Sequence, residues 1–390
     1  MPEDTPKGDK PEEQQPEDQE GAMEAAEVAR RQGPRNPVLR FFAQNRGITA
    51  LLAVMLLGVL FTPQYGADTP YLLALVRGEA KPLMADTPEG RQLQPPLFLT
   101  SNLHASMLYE YAEYGLLATG MTLVILTAGI DLSVGSVLGI TAVWFTWLLM
   151  GHGLPPLAAA GGAITLGAIC GLANGLLVSR MGLQPFVATL AMMVAARGGA
   201  KVISGGQKVA PGLHDWFYVQ RGTPDFMKWM TDPAVGGFLR PVTVLFVVAI
   251  VVMALMVKYT RFGRYLYAIG GNEEAARLSG VPVNGAKILS YSLCGALAGL
   301  AGISNACRLR LGNPEAVFTF ELDAIAAVVI GGTSLMGGRG SVIFTLIGTL
   351  IIGYINKILS VNAVPEAYRL LVKGLIIVVA VVIQSRRQAK

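Results

Sequence analysis

The sequence predicts an all-α membrane protein, a polytopic bundle of about ten transmembrane helices with two related halves. Three observations predict it. Hydrophobic residues make up 52% of the 390 and charged residues only 15%, against about 25% charged in soluble domains; the mean hydropathy is +0.49. The charges are clustered, which leaves apolar blocks long enough to cross a bilayer as helices, with none of the alternation that barrel strands carry. A glycine-rich motif occurs twice, once in each half.

The elements follow in order. Residues 1–40 begin "MPEDTPKGDKPEEQQPEDQE", acidic and proline-rich with nothing to bury, and are expected to form a disordered acidic cytoplasmic tail with one short helix over 22–31. An acidic start is the opposite of a basic n-region, so no signal peptide is expected. The transmembrane region is 41–390. Its first span, 47–61, follows Arg30, Arg31, Arg35, Arg40 and Arg46, which places the N-terminus in the cytoplasm by the positive-inside rule. An outer loop, 62–103, is proline-rich and mixed in charge. Spans are expected at 107–127, 133–150, 157–178 and 186–203. A second outer loop, 204–240, carries Trp216, Phe217, Tyr218 and Trp229. The sixth span is 241–257, and the most charged inner segment is 258–287. The last four spans are 288–307, a short glycine-ended 322–332, 342–359 and 370–383. An even count returns the C-terminus to the cytoplasm, where the basic inner loop and the terminal "QSRRQAK" also fall.

Composition excludes several functions. The net charge of +5 reports the basic residues of inner loops rather than a nucleic-acid partner. Cys170, Cys294 and Cys307 read as small core residues and not a disulfide framework. His104, His152 and His214 are scattered, so no metal site is expected.

"VILTAGIDLSVGSVLG" from Val124 and "VIGGTSLMGGRGSVIF" from Val329 pair Val124/Val329, Ile125/Ile330, Gly135/Gly340, Ser136/Ser341 and Val137/Val342 at one offset of 205. Each copy lies where one span ends and the next begins. Glycine-interrupted segments at corresponding places of two halves point to a transport pathway, because backbone leaves a helix at membrane depth only where protein or water shelters it. Asp131 stands inside the first copy, where an ionised carboxylate costs roughly 2.5–3.5 kcal/mol on insertion scales. It reads either as the cap of the third span, accepting from Ser133 or Val134 N–H, or as a lining group of the pathway. The other pathway candidates are Thr127, Ser133 and Ser136 at the first break, Thr333, Ser334 and Ser341 at the second, and Asn174, Thr189, Asn305 and Asn356 within spans. Each of these polar residues is more often a helix–helix hydrogen bond than a substrate contact. Glu321 and Asp323 read as helix-start acids or mouth residues.

"GMTLVILTAGIDLSVGSVLG", "FELDAIAAVVIGGTSLMGGRGS" and "GTLIIGYINKIL" together closely resemble the permease subunits of bacterial sugar importers of the ATP-binding-cassette (ABC) class, the ribose, xylose, arabinose and galactoside group. The resemblance runs from 102 to 383, with three motifs in order. It implies a pore in the bacterial inner membrane with broken helices near the pore. The implied partners are a second permease copy (homodimer or heterodimer), a cytoplasmic ABC ATPase subunit, a periplasmic sugar-binding protein and membrane lipids. It also implies that no cofactor is bound by this chain, with ATP and Mg²⁺ held on the ATPase.

The residues of the inner loop fit that frame by their own chemistry. "GGNEEAARLSGVP" reads as a delimited helix: Asn272 caps it, Glu273 and Glu274 complement its N-terminal end, Ala275, Ala276 and Arg277 continue it, Gly280 ends it and Pro282 stops it. In the family this segment carries E-A-A-x-x-x-G and is the coupling helix to the ATPase; Glu274-Ala275-Ala276 and Gly280 match. The downstream I-x-L-P of many importers is replaced by "ILSYSL". Gly332-x4-Gly337, followed by Gly338-Arg339, lacks the Lys and Ser/Thr of a phosphate loop, and no acid–base or nucleophile constellation is present, so the chain is not expected to be an enzyme. A near absence of buried Lys, Arg and Glu fits a neutral solute. The loop 62–103 reads as a tolerated insertion or as a seat for the binding protein. The alternatives are an ABC permease for a nucleoside, an autoinducer sugar or an amino acid, an ion-coupled secondary transporter, or a channel.

Overall fold

The computed structural model describes residues 46–63, 74, 76, 84–87, 90–93, 97–211, 222–233, 239–315 and 319–388. The expectations for 1–40, for much of 62–103, and for Trp216, Phe217, Tyr218 and His214 lie outside them. The chain divides into residues 1–49, of which only the first turn of α1 is described, and one compact unit, Ala50–Lys390.

Each of the ten expected spans is a helix. In chain order these are α1 (Arg46–Phe61), α2 (Ser101–Leu126), α3 (Val134–Thr146), α4 (Pro156–Ser179), α5 (Pro185–Ser204), then after the short α6 (Asp225–Thr231) α7 (Pro241–Tyr259). The charged segment 258–287 holds α8 (Arg261–Gly271) and α9 (Glu273–Leu278), followed by α10 (Val283–Leu309), α11 (Phe320–Ile330), α12 (Val342–Val361) and α13 (Glu366–Gln388). Proline opens α4, α5 and α7, at the position where its missing N–H has no helical partner to lose. α3 continues as a π-helical turn, Trp147–Gly151. The loop between α1 and α2 adds an antiparallel hairpin, β1 (Met84–Thr87) with β2 (Gly90–Leu93), pairing Met84 with Leu93.

Among the described residues six helices are long and apolar enough to cross a membrane, Val134–Gly151, Pro156–Ser179, Pro185–Ser204, Pro241–Tyr259, Val283–Leu309 and Val342–Val361, and Gly47–Phe61 is a shorter apolar one. α11 has 11 residues, about 16 Å at the helical rise, so it covers about half of a hydrocarbon core of roughly 30 Å. The expected eighth span is therefore a half-length helix.

α2 and α10 form the centre and are buried along most of their length. α4 lies against α10 in the largest contact of the bundle. Gly167, Gly171 and Gly175 recur every fourth residue on α4; Gly167 faces Gly295 and Gly299 on α10, Gly171 faces Tyr291 and Gly295, and a methyl at Gly175 would stand 2.8 Å from Ile288 Cα. Small residues at this spacing let backbones approach where lipid gives no hydrophobic drive. The periphery is the reverse of a soluble protein: α7 exposes Val244, Val247, Val248, Val251, Val252 and Leu255, and α13 exposes Leu370, Leu371, Leu375, Val378 and Val379.

Candidate transport site

α2 stops because Ala128 takes a left-handed conformation (φ 60°). Ala128 N–H then donates to Ile125 O and Gly129 N–H to Val124 O, the paired bonds of a Schellman ending. α11 stops in the same way, with Gly332 left-handed (φ 88°), its N–H on Val329 O, and Thr333 N–H on Val328 O. The two halves thus repeat a helix ending as well as a motif, but in a shifted register: the structure matches Val124 to Val328, where the sequence offset matched it to Val329. Beyond the breaks the N-caps are Ser133 and Ser341, whereas the sequence offset pairs Ser341 with Ser136. The second break is the longer one.

At the first break Asp131 is 2% exposed. Its Oδ1 accepts from Ser133 N–H (2.8 Å) and Ser133 Oγ (2.6 Å). Asn174 Nδ2, from α4, donates to Ser133 Oγ at 2.9 Å and lies 3.5 Å from Asp131 Oδ2. The carboxylate satisfies a freed N–H from two residues before the helix, so it acts as a turn acceptor rather than as the N-cap residue itself. Thr127 Oγ1 donates back to Val124 O, and Thr189 Oγ1 to Pro185 O. At the second break Ser334 N–H donates to Arg339 O (2.8 Å) and Ser334 Oγ accepts from Met336 N–H (3.2 Å). Thr333 is fully buried, and Ser341 Oγ accepts from Ile343 N–H.

The breaks meet. Gly338 N–H donates to Leu126 O at 3.1 Å, so a helix-end carbonyl of the first half is satisfied by the second. α8 closes over the junction: Gly270 packs on Leu126 O and the Gly337–Gly338 backbone, leaving no room for a side chain, and Tyr267 Oη donates to Gly340 O at 2.9 Å. α9 follows directly. Asn272 Oδ1 accepts from Ala275 N–H at 2.9 Å. Gly280 N–H on Arg277 O and Val281 N–H on Ala276 O end α9 in a further Schellman motif, with Gly280 at φ 82°. Ala276 is buried against Ile269, Val283 and Ala286, while Glu274 is exposed and Leu278 is 84% exposed. Glu273 bonds Lys287 of α10 (2.6 Å) and Arg277 (3.2 Å). Burial alone would raise the Glu273 carboxyl, but Lys287 and Arg277 outweigh it and hold it below its ordinary value.

The remaining candidates lie apart from the junction. Asn305 Nδ2 donates to Glu113 Oε2 (2.9 Å), whose other oxygen accepts from Arg308 (2.6 Å). Asn356 returns its amide to Ile352 O, beside Asp323, which pairs with Lys373 at 3.0 Å. Ser136 Oγ accepts from Arg197 Nε at 3.0 Å. The expected near absence of buried Lys, Arg and Glu holds for Lys and Arg among the described residues, while Glu113 (1% exposed) and Glu321 (9%) are buried; Glu113 pairs with Arg308, and half-exposed Glu110 with Lys357 at 2.7 Å. The physical reason is pairing. Each charge meets its opposite across a helix interface, which a scan along one strand of sequence does not register.

Comparison with known proteins agrees with this architecture. The family model described as "Branched-chain amino acid transport system / permease component" matches residues 104–381. The ribose import permease protein of Escherichia coli (strain K12) is 42% identical over 298 residues, 76% of this chain and 89% of that protein. The ribose import permease protein of Bacillus subtilis (strain 168) is 41% identical over 75% of this chain and 88% of its own length. The D-allose transport system permease protein of Escherichia coli (strain K12) is 36% identical, covering 74% and 85%. A family model that matches most of a helical, multi-pass membrane protein, together with these relatives matched over most of their length, fixes the assignment: the chain belongs to the permease-component family of these transport systems.

Proposed function

We propose that this chain is the pore-forming subunit of an ATP-driven importer for a monosaccharide, working as a pair of permease copies in the bacterial inner membrane. A cytoplasmic ATPase subunit, which holds ATP and Mg²⁺, docks on α9, and a periplasmic binding protein delivers the sugar to the opposite face. Both termini then lie in the cytoplasm, with α8 and α9. The observation that carries the reading is the direct path from α9 to both helix breaks. α9 is capped, anchored to α10 by Glu273–Lys287, and joined through Asn272 to α8, which touches both breaks through Gly270 and Tyr267. A push on exposed Glu274 and Leu278 reaches a backbone junction shared by the two halves through packed helices. Gating by a few shifted backbone contacts suits packed elements with discrete arrangements.

The relatives' names point to ribose as the first sugar to try, with allose and other neutral solutes behind it. Tagged protein extracted gently from its host is expected to bring a stoichiometric ATPase, identified by mass spectrometry. Liposomes holding that complex are expected to take up labelled D-ribose only with ATP inside and loaded binding protein outside. Uptake driven by an ion gradient, with no ATPase in the preparation, would sink the reading and favour a secondary transporter.

A further inference from the structure

A cavity of about 300 Å³ opens where the end of α7, α8 and the start of α12 meet; Val257, Lys258, Arg264, Tyr267, Ser341 and Ile343 stand on its wall. The volume is at the lower end of ligand-pocket sizes, about 300 Å³. Its wall has two chemistries. One is apolar and runs out to the lipid-facing surface. Ile343 is itself exposed, with Phe344 beside it, and Val251 and Leu255 are exposed on α7, two turns and one turn before Lys258 on the same helix face.

The other chemistry is cationic. Lys258 and Arg264 are both exposed, and neither makes an ion pair among the described residues. Lys258 Nζ lies 5.1 Å from the centre of the Tyr259 ring, an attraction that spends no hydrogen bond. The cations that tie the bundle together differ: Lys287, Arg308, Lys357 and Lys373 each close on a carboxylate at 2.6–3.0 Å. No acid is at hand for the pair in the cavity, since residues 233–272 and 324–365, which hold all of its wall, contain no Asp or Glu. Ser341 caps α12 there by accepting from Ile343 N–H, so the helix brings its positive end to the same place. An excess of positive charge beside an apolar wall, at the end of a membrane-spanning helix, matches a ligand that is anionic at one end and apolar at the other.

We propose that this cavity holds the phosphate headgroup of an anionic phospholipid, with Lys258 and Arg264 neutralising the phosphate and the acyl chains lying along Val251, Leu255 and Phe344. Basic pockets between membrane helices take such headgroups. A soluble phosphate ester shares the headgroup chemistry but gains nothing from the apolar wall, and that wall commits the site to a lipid. The bound headgroup bridges α7, α8 and α12 beside the Tyr267–Gly340 bond that holds α8 on the second break. The site does not depend on which solute the chain carries.

The test uses the full-length chain purified in uncharged detergent and titrated with dioleoyl phosphatidylglycerol, dioleoyl phosphatidylcholine or glycerol phosphate. Bound ligand is counted by mass spectrometry after gel filtration. Wild type is expected to take phosphatidylglycerol at a lower concentration than phosphatidylcholine and to retain no glycerol phosphate. A cation near an anionic headgroup is worth about fivefold in affinity. Lys258→Gln/Arg264→Gln should therefore raise the half-saturating phosphatidylglycerol concentration roughly twenty-five-fold and leave phosphatidylcholine unchanged. Arg180→Gln/Arg310→Gln removes the same charge from exposed positions off the cavity wall and should stay within about twofold of wild type. An equal shift in the two double variants would mean that net charge alone attracts the lipid, and overturns the site. Equal binding of the two lipids by wild type overturns it too. Glycerol phosphate retained as well as phosphatidylglycerol would make the cavity a site for a soluble anion, which also overturns the proposal. Should the first double variant be lost from the membrane, its two single variants are read instead. Each is expected to shift half-saturation about fivefold, and no shift in either overturns the site.

Discussion

At Asp131 one carboxylate oxygen takes both the backbone N–H and the hydroxyl of Ser133, and that geometry decides what a substitution removes. Asparagine keeps an oxygen at the same place, whereas leucine leaves a buried N–H and hydroxyl unmet, at about 1–3 kcal/mol each. Asp131→Asn is therefore expected to keep most uptake and membrane level, and Asp131→Leu to lose both; equal loss would point to a need for the charge. Glu113 follows a harsher rule. Removing one partner of a buried pair typically costs about 3–5 kcal/mol, whereas replacing both with neutral groups costs far less. Glu113→Ala should lower the detergent melting temperature markedly, and the double Glu113→Gln/Arg308→Gln should recover much of it. Asp131 was legible in the sequence because it sits alone inside an apolar block. Glu113 was not singled out, because it stands among Tyr109, Glu110, Tyr111 and Tyr114, near the expected start of a span. Arg308 hides in the last turn of α10. Only the contact of α2 with α10 makes a pair of them.

Among the elements, α9 was the most readable, because its chemistry is local. Asn272 as cap, the two glutamates in the first turn and Gly280 at the end act within a few residues of one another, and the structure places each where local rules put it. Glu274→Lys is expected to abolish uptake and ATPase co-purification at normal membrane levels; uptake equal to wild type would remove α9 from coupling. Glu273 does a separate job on the same helix, holding α9 to α10. Its carboxyl lies below the ordinary value in the folded protein. The stability it contributes is therefore complete above the unfolded carboxylate range, about 4.3, and fades as pH falls through the lower folded value. Hydrogen exchange over 273–287 should accordingly be flat from pH 8 to 5, apart from intrinsic chemistry, and rise under more acid conditions; Glu273→Gln should show the faster exchange at neutral pH too. The α4–α10 seam carried a signal that the span analysis passed over: "GAICGLANG" spaces glycines four apart, the signature of close helix approach.

For the whole molecule, hydropathy and flanking charge located all ten helical segments, since both depend on the bilayer as solvent rather than on partners. Depth was less accessible. α11 is half a span, and the chain ahead of it packs on α3 through Gly312 against Val143 and Thr146, which is a tertiary fact. The repeat was visible, yet its register shifted, because the second break carries extra residues between the helix end and the next cap. One bond across that repeat has a consequence in time. Leu126 O waits for Gly338 N–H, a group made after roughly 200 more residues, or about 10–40 s at ordinary synthesis rates of about 5–20 residues per second. During that interval the first half sits in the membrane with its break unsealed, accessible to water and to quality-control proteases. Nascent chains arrested near residue 300 should be cut by protease around Gly129, and chains released at full length should resist. Equal resistance in both would mean that the first half matures before the second is made.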